Sequence, residues 1–213
     1  NFNLEIIKNY LLKYIILFLP LFMILGNGVT NFALLIVTMI YLIECIIKKK
    51  ILYSEKFEYK VFVILYLYIF LNSLLSTNLE NSIIRTLGYV KFFIFVLVYL
   101  NYFKNDFNFK KIGFFWLPII LFLSIDIIYQ SFFGKDLFGY DTGNPLRNSG
   151  FFFDELIAGA FLLGLSILSV FLLNSKIKKP IQYLLLLFFF ITCVLTGERS
   201  NTIKFLLIFV ISH

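Results

Sequence analysis

PIQYLLLLFFFITCVL (180–195), TGERSN (196–201) and TIKFLLIFVI (202–211) follow one another without a gap, so a single Glu–Arg pair stands between two apolar runs. Apolar runs of roughly 17–25 residues have the length a helix needs to cross a hydrocarbon core. The rest of the chain repeats the pattern. It is 61% hydrophobic and 15% charged, with a mean hydropathy of +0.92, more apolar than a soluble domain of 213 residues tolerates on its surface. The composition points to an all-α integral membrane protein, a polytopic transmembrane helical bundle.

About eight spans are expected, near 10–26, 31–47, 58–75, 86–103, 112–133, 151–173, 180–196 and from 200 onward. Together they read as one transmembrane helical domain over 1–213. The last run is still apolar at His213, so the chain reads as the N-terminal part of a longer protein. The first run has no small-residue cleavage site followed by a soluble chain, and is expected to be a retained span rather than a removed signal peptide.

Lysine placement sets an expected orientation. Lys8 and Lys13 precede or open the first span, and KKKILYSEKFEYK (48–60), KNDFNFKK (104–111) and NSKIKK (174–179) fill alternate loops. By the positive-inside rule these face the cytoplasm. GNGVTN (26–31), STNLENSIIR (76–85), GKDLFGYDTGNPLRNSG (134–150) and TGERSN then face the opposite side.

The arginines break that bias. There are three, Arg85, Arg147 and Arg199, and all fall in or beside the outward loops. Arg carries a planar, always-charged fork of donors that matches phosphate oxygens in pairs, which the point charge of Lys does not reproduce. Three such groups at one end of a bundle suit phosphate or pyrophosphate. The plainer alternative is that each snorkels to the interface or pairs with a neighbouring carboxylate, Glu80, Asp141 or Glu198.

Carboxylates within apolar runs are the second signal. Asp126 lies inside the fifth expected span, and Asp154 and Glu155 open the sixth. A carboxylate at membrane depth normally faces a bundle interior or an aqueous cavity. Asp126 is a candidate partner for an arginine. Asp154 and Glu155 are candidates to orient Arg147 or accept a proton, or else they favour a helix N-terminus through its dipole. Glu44, close to the KKK run, reads as half of a surface ion pair, and Lys91 and Lys204 as snorkelling side chains. Ala160 and Gly164 have the four-residue spacing of small residues that lets membrane helices pack closely. Cys45 and Cys193 sit far apart in apolar runs without metal-ligand spacing and read as small buried hydrophobes. No phosphate loop, dinucleotide fingerprint, HExxH or CxxC is present, and the +7 net charge is accounted for by loop lysines rather than a nucleic-acid face.

DIIYQSFFGKDLFGY (126–140), RNSGFFFDELIAGAFL (147–162) and LTGERSN (195–201), in that order, resemble the bacterial O-antigen ligase and O-antigen polymerase superfamily. There a Tyr–Gln pair ends a span, a G-x-D-x-x-G loop follows, an Arg loop leads into SG-F-F-x-x-E-x-x-x-G, and a later span ends in TG-x-R-S.

The resemblance implies a multi-pass glycosyltransferase of the bacterial inner membrane, working on the periplasmic side without a metal or a nucleotide-sugar cofactor. Its expected activity is that of an O-antigen ligase, moving a glycan from undecaprenyl pyrophosphate to lipid A–core in lipopolysaccharide biosynthesis. The alternative within the superfamily is a polymerase, whose acceptor is another lipid-linked repeat. Residues matching Arg147 and Arg199 would bind the pyrophosphate, with Arg85 as a third ligand and Glu198, Ser200 and Asp126 in support. The general base is expected in a later periplasmic loop, so no role is given to His213; Asp154 and Glu155 are the candidates within this chain. A flippase for the same lipid-linked glycans is the rival from another class, since it too needs many spans and outward arginines.

Overall fold

The computed structural model describes residues 2–49, 57–102, 109–141, 147–153 and 155–211, with the side chains at 2–7, 58, 99–102, 109–110 and 211 outside that description. Asp154 and His213 therefore lie outside the described residues. What is described is all-helical, apart from turns and one isolated bridge between Lys135 and Asp141. The helices are α1 (Phe2–Leu17), α2 (Leu19–Ile24), α3 (Asn27–Lys48), α4 (Phe57–Leu74), α5 (Leu79–Tyr102), α6 (Phe109–Phe133), α7 (Ala158–Leu172), α8 (Lys179–Leu195) and α9 (Arg199–Ile211), with a 3-10 turn at Gly150–Phe152 before α7.

Among the described residues, three stretches are long and apolar enough to cross a membrane: Asn27–Lys48, Leu79–Val98 and Lys111–Phe133. They match three of the eight expected spans. The others fall short for local reasons. The expected span at 10–26 divides between α1 and α2, where Pro20 stands in the first turn of α2. The one at 151–173 is helical only from Ala158, because Gly150 (φ 54°) and Phe153 (φ 53°) both leave helical space. α8 is 17 residues, about 25 Å at 1.5 Å per residue, which puts it at the short limit of the spanning range and among the shorter apolar helices. The apolar stretch described for α4, Tyr59–Leu74, is below that length, and α9 is described over 13 residues.

The chain forms two compact units. Asn1–Ile15 with Gly28–Phe107 make the first. In it α4 and α5 form a hairpin: Asn78 caps α5 by accepting from the Asn81 amide (3.3 Å), and Phe93 meets Tyr66 and Phe62 edge-on at 4.8 and 6.0 Å between centroids. Glu44 is buried rather than on the surface, with Lys8 Nζ at 3.2 Å and Lys48 one turn along the helix as ion partners. Two ammonium groups against one buried carboxylate replace the water it has lost.

Ile16–Asn27 with Asn108–His213 make the second unit. Its centre is α6, whose buried positions Ile112, Trp116, Ile120, Leu123, Ile127 and Gln130 recur every three or four residues along one face. That helix packs chiefly on α7, which in turn packs on α8 and α9. The buried hydroxyls of Ser124, Ser166 and Thr192 donate to carbonyls four residues back, so no water is needed to satisfy them.

The break between α1 and α2 is held by one indole. Pro20 has no N–H to donate to the Ile16 carbonyl. Trp116 Nε1 donates instead, at 3.3 Å to Ile16 O and 3.0 Å to Leu17 O. Trp116→Phe keeps the ring and removes the donor, leaving buried carbonyls bare. We expect a loss of about 1–3 kcal/mol, read as a lower Tm of the purified protein in detergent.

Candidate functional site

The TGERSN segment is the turn between α8 and α9, and its residues are placed one by one. Thr196, buried at 1% exposure, donates from Oγ1 to the Cys193 carbonyl (2.7 Å) and ends α8. Gly197 follows with φ 74°, the left-handed conformation that reverses the chain after a helix. Its amide donates to the Val194 carbonyl at 3.0 Å. Glu198 then stands just before the first residue of α9. Its backbone carbonyl accepts from the amides of Asn201 and Thr202, both at 3.1 Å.

The Glu198 carboxylate is occupied by neutral donors. Oε1 accepts from the amide of Gly159 at the start of α7 (2.8 Å), and Oε2 accepts from the Asn201 side chain. Glu198 therefore ties the turn to α7 and makes no ion pair with an arginine among the described residues. Asp141 is likewise engaged, with Lys135 at 3.8 Å. Of the three pairings offered for the arginines by sequence, none is formed.

Arg199 is the first residue of α9 and is exposed. The amides of Arg199 and Ser200 make no hydrogen bond among the described residues, as expected for the open end of a helix, where the dipole also favours an anion. Arg147 comes to the same place by a different route. Its neighbour Asn148 donates from Nδ2 to the Leu195 carbonyl at the end of α8 (2.7 Å), and the Gly150 amide donates to Gln130 Oε1 on α6 (2.8 Å). Gly150 permits this with its positive φ and by its closeness to α6: a Cβ there would lie 2.9 Å from Asp126 Oδ2.

The result is an open cleft of 990 Å³ lined by Arg147, Val194, Gly197, Glu198, Arg199, Ser200, Thr202 and Ile203. Arg147, Arg199 and Ser200 line it with the start of α9, and Glu198, whose carboxylate is held by Gly159 and Asn201, shares the wall. The cleft is suited to an anion with several oxygens.

The remaining expected site residues are elsewhere. Arg85 is exposed on the second turn of α5, in the other unit. Asp126 does not partner an arginine: it is fully buried, and its Oδ1 accepts from the Leu137 amide (2.8 Å). Glu155 lies ahead of α7, exposed, and accepts from the Asn27 side chain at 3.1 Å. α7 is well packed, but through Ala158, Gly159, Ser166 and Ser169, whereas Ala160 and Gly164 are exposed. Cys193 is buried and Cys45 half-buried, both as free thiols. Among the described residues no three metal-ligating side chains gather.

Asn148 was given no place by the sequence reading, and Gln130 and Gly159 entered it only as motif positions of the resemblance, the Gln of the Tyr–Gln pair and the last Gly of SG-F-F-x-x-E-x-x-x-G, with no role attached. Gln130 left a signal, as an amide inside an apolar run. Asn148 left none, because it works through a main-chain carbonyl of a distant segment, and the motif Gly159 gave no hint that its amide meets the Glu198 side chain.

The fold and the cleft define a helical protein with, among the described residues, three helices of membrane-crossing length and composition, and a cleft lined by two arginines at the start of a helix. No protein-family model, no curated protein and no solved structure matches the chain.

Proposed function

We propose that this chain is part of a multi-pass membrane glycosyltransferase of the O-antigen ligase kind, and that Arg147 and Arg199 grip the pyrophosphate of a lipid-linked glycan donor. One observation carries the reading: the two arginines line a single cleft, and neither has an ion-pair partner among the described residues. Unpaired guanidinium groups beside a helix start are an arrangement for polyvalent anions.

In the proposed reaction an acceptor hydroxyl oxygen attacks the anomeric carbon of the donor sugar. The bond from that carbon to the pyrophosphate oxygen breaks, and the lipid pyrophosphate leaves with the electron pair. Arg147 and Arg199 stabilise the charge that develops on it. The hydroxyl proton passes to a base that this reading assigns to a later segment of the full-length protein. The acceptor is lipid A–core for a ligase and a second lipid-linked repeat for a polymerase. The membrane is the bacterial inner membrane, with the cleft on its periplasmic face.

The test uses the full-length protein in vesicles with undecaprenyl-pyrophosphate glycan and acceptor. Covalent transfer of the glycan is the expected result. Movement of the lipid-linked glycan across the vesicle with no transfer would overturn the enzyme reading in favour of a flippase.

A further inference from the structure

At the end of α8 away from the arginine cleft, the chain collects positive charge. Lys176 and Lys178 stand exposed between α7 and α8, and Lys179, also exposed, is the first residue of α8. Lys111 joins them because α6 begins where α7 ends: a Cβ on Gly113 would lie 2.8 Å from Leu173 Cγ. None of the four forms an ion pair among the described residues. The described carboxylates of this unit are far from them, Asp126 in the last turns of α6, Asp136, Asp141 and Glu155 between α6 and α7, and Glu198 after α8.

Beside the lysines, α7, α8 and α9 enclose a cavity of 310 Å³. Its lining changes character along its length. Asn174, Lys179 and Gln182 line it where α7 gives way to α8, whereas Val170, Phe171, Leu186, Phe205 and Ile208 supply apolar walls. Val170 and Phe205 are buried and form its inner part. The polar end is held in shape by one amide: Gln182 Nε2 donates to the Asn174 carbonyl and to Asn174 Oδ1, both at 3.0 Å, and to the Ile177 carbonyl at 2.7 Å. The loop that carries Lys176 and Lys178 is thereby pinned to α8.

We propose that this cavity holds one anionic phospholipid, with its phosphate against Lys179 and Lys178 and the start of an acyl chain along Val170, Phe205 and Ile208. Uncompensated cations beside an apolar cavity match a molecule of the same build, and a basic pocket between membrane helices suits an anionic head group. A soluble anion would meet the lysines but leave the apolar walls in water, while a lipid covers both, and burial of apolar surface adds to its affinity. A zwitterionic lipid fits the walls equally well but brings its own cation to the lysines. The site stands apart from the arginine cleft, with the length of α8 between them, and does not depend on what that cleft binds.

The experiment takes the full-length protein purified and delipidated in detergent, and follows lipid binding by native mass spectrometry. Dioleoyl phosphatidylglycerol should bind once per chain at concentrations where dioleoyl phosphatidylcholine does not. Lys179→Gln should weaken phosphatidylglycerol by about fivefold, the effect of one lysine near an anionic head group. Lys60→Gln, at an exposed lysine of the other unit, should leave it unchanged. Ile208→Trp fills the cavity without altering charge, and should weaken binding at least as much as Lys179→Gln. The proposal is overturned if phosphatidylcholine binds as tightly as phosphatidylglycerol, if Lys60→Gln loses as much as Lys179→Gln, or if Ile208→Trp keeps full affinity. Inorganic phosphate displacing the lipid at equal concentration would make this a free-anion site and overturn it too. Lys179 and Ile208 are exposed, so the folds of both variants should survive, and the comparison of the two lipids on the wild-type protein needs no variant.

Discussion

Arg199→Lys should cut glycan transfer from a pyrophosphate-linked donor by roughly tenfold to a hundredfold while leaving the fold unchanged. The charge survives this substitution, so a loss isolates the geometry of the guanidinium fork. A hydrogen bond to a charged group contributes about 1.5–3 kcal/mol, and each 1.4 kcal/mol is tenfold in rate or affinity, which gives the stated range. Fold effects should be small, because Arg199 is exposed at the first position of α9 and makes no ion pair among the described residues. The measurement is kcat/KM for transfer in vesicles, with Tm and detergent-extracted yield as checks on folding. Wild-type turnover in this variant would count against a paired-oxygen contact at Arg199.

Gly159→Ala should damage both stability and the cleft. Glycine at this position lets α7 and the α8–α9 turn touch: a Cβ would lie 2.8 Å from Thr196 Oγ1 and 2.9 Å from both Cβ and Cδ of Glu198. The Glu198 Cβ is anchored to its own backbone, so turning a side chain aside does not relieve the clash. The helix start and the turn must separate, and the 2.8 Å bond from the Gly159 amide to Glu198 lengthens with them. Overpacking alone costs about 1–3 kcal/mol, and stretching a charge-assisted hydrogen bond adds to it. The expected Tm falls by several degrees, and KM for the donor rises, because Arg199 follows Glu198 directly. Ala160→Val, one residue along on the exposed side of α7, should change stability by no more than about 0.5 kcal/mol. Equal Tm losses from the two substitutions would sink the account.

The helical class was legible because it rests on composition, which needs no contacts to be read. The number of membrane-length helices was not. The expected span at 151–173 looked continuous because Phe151, Phe152 and Phe153 are as apolar as the helix after them, yet φ at Gly150 and Phe153 is positive, and hydropathy carries no information on backbone angles. The site was legible in its charges. Arg147 and Arg199 stood out through residue choice and sidedness, and the cleft contains both. Glu198 was read as support for the arginines, whereas its carboxylate meets Gly159 and Asn201 and ties the turn to α7. The small-residue spacing of Ala160 and Gly164 named the right helix and the wrong face, since spacing alone does not say where the neighbouring helix lies. Asp126 was correctly marked as unusual, but its main-chain partner belongs to a loop whose return path no local pattern announces.

Arg147 stands just ahead of two anchors, Asn148 on the end of α8 and Gly150 on Gln130 of α6. The segment therefore works as a caliper: its two feet rest on different helices, and Arg147 adjoins the foot on α8. A tilt of α8 against α6 would be passed to the segment that carries Arg147, and through it to the width of the cleft that Arg147 and Arg199 line.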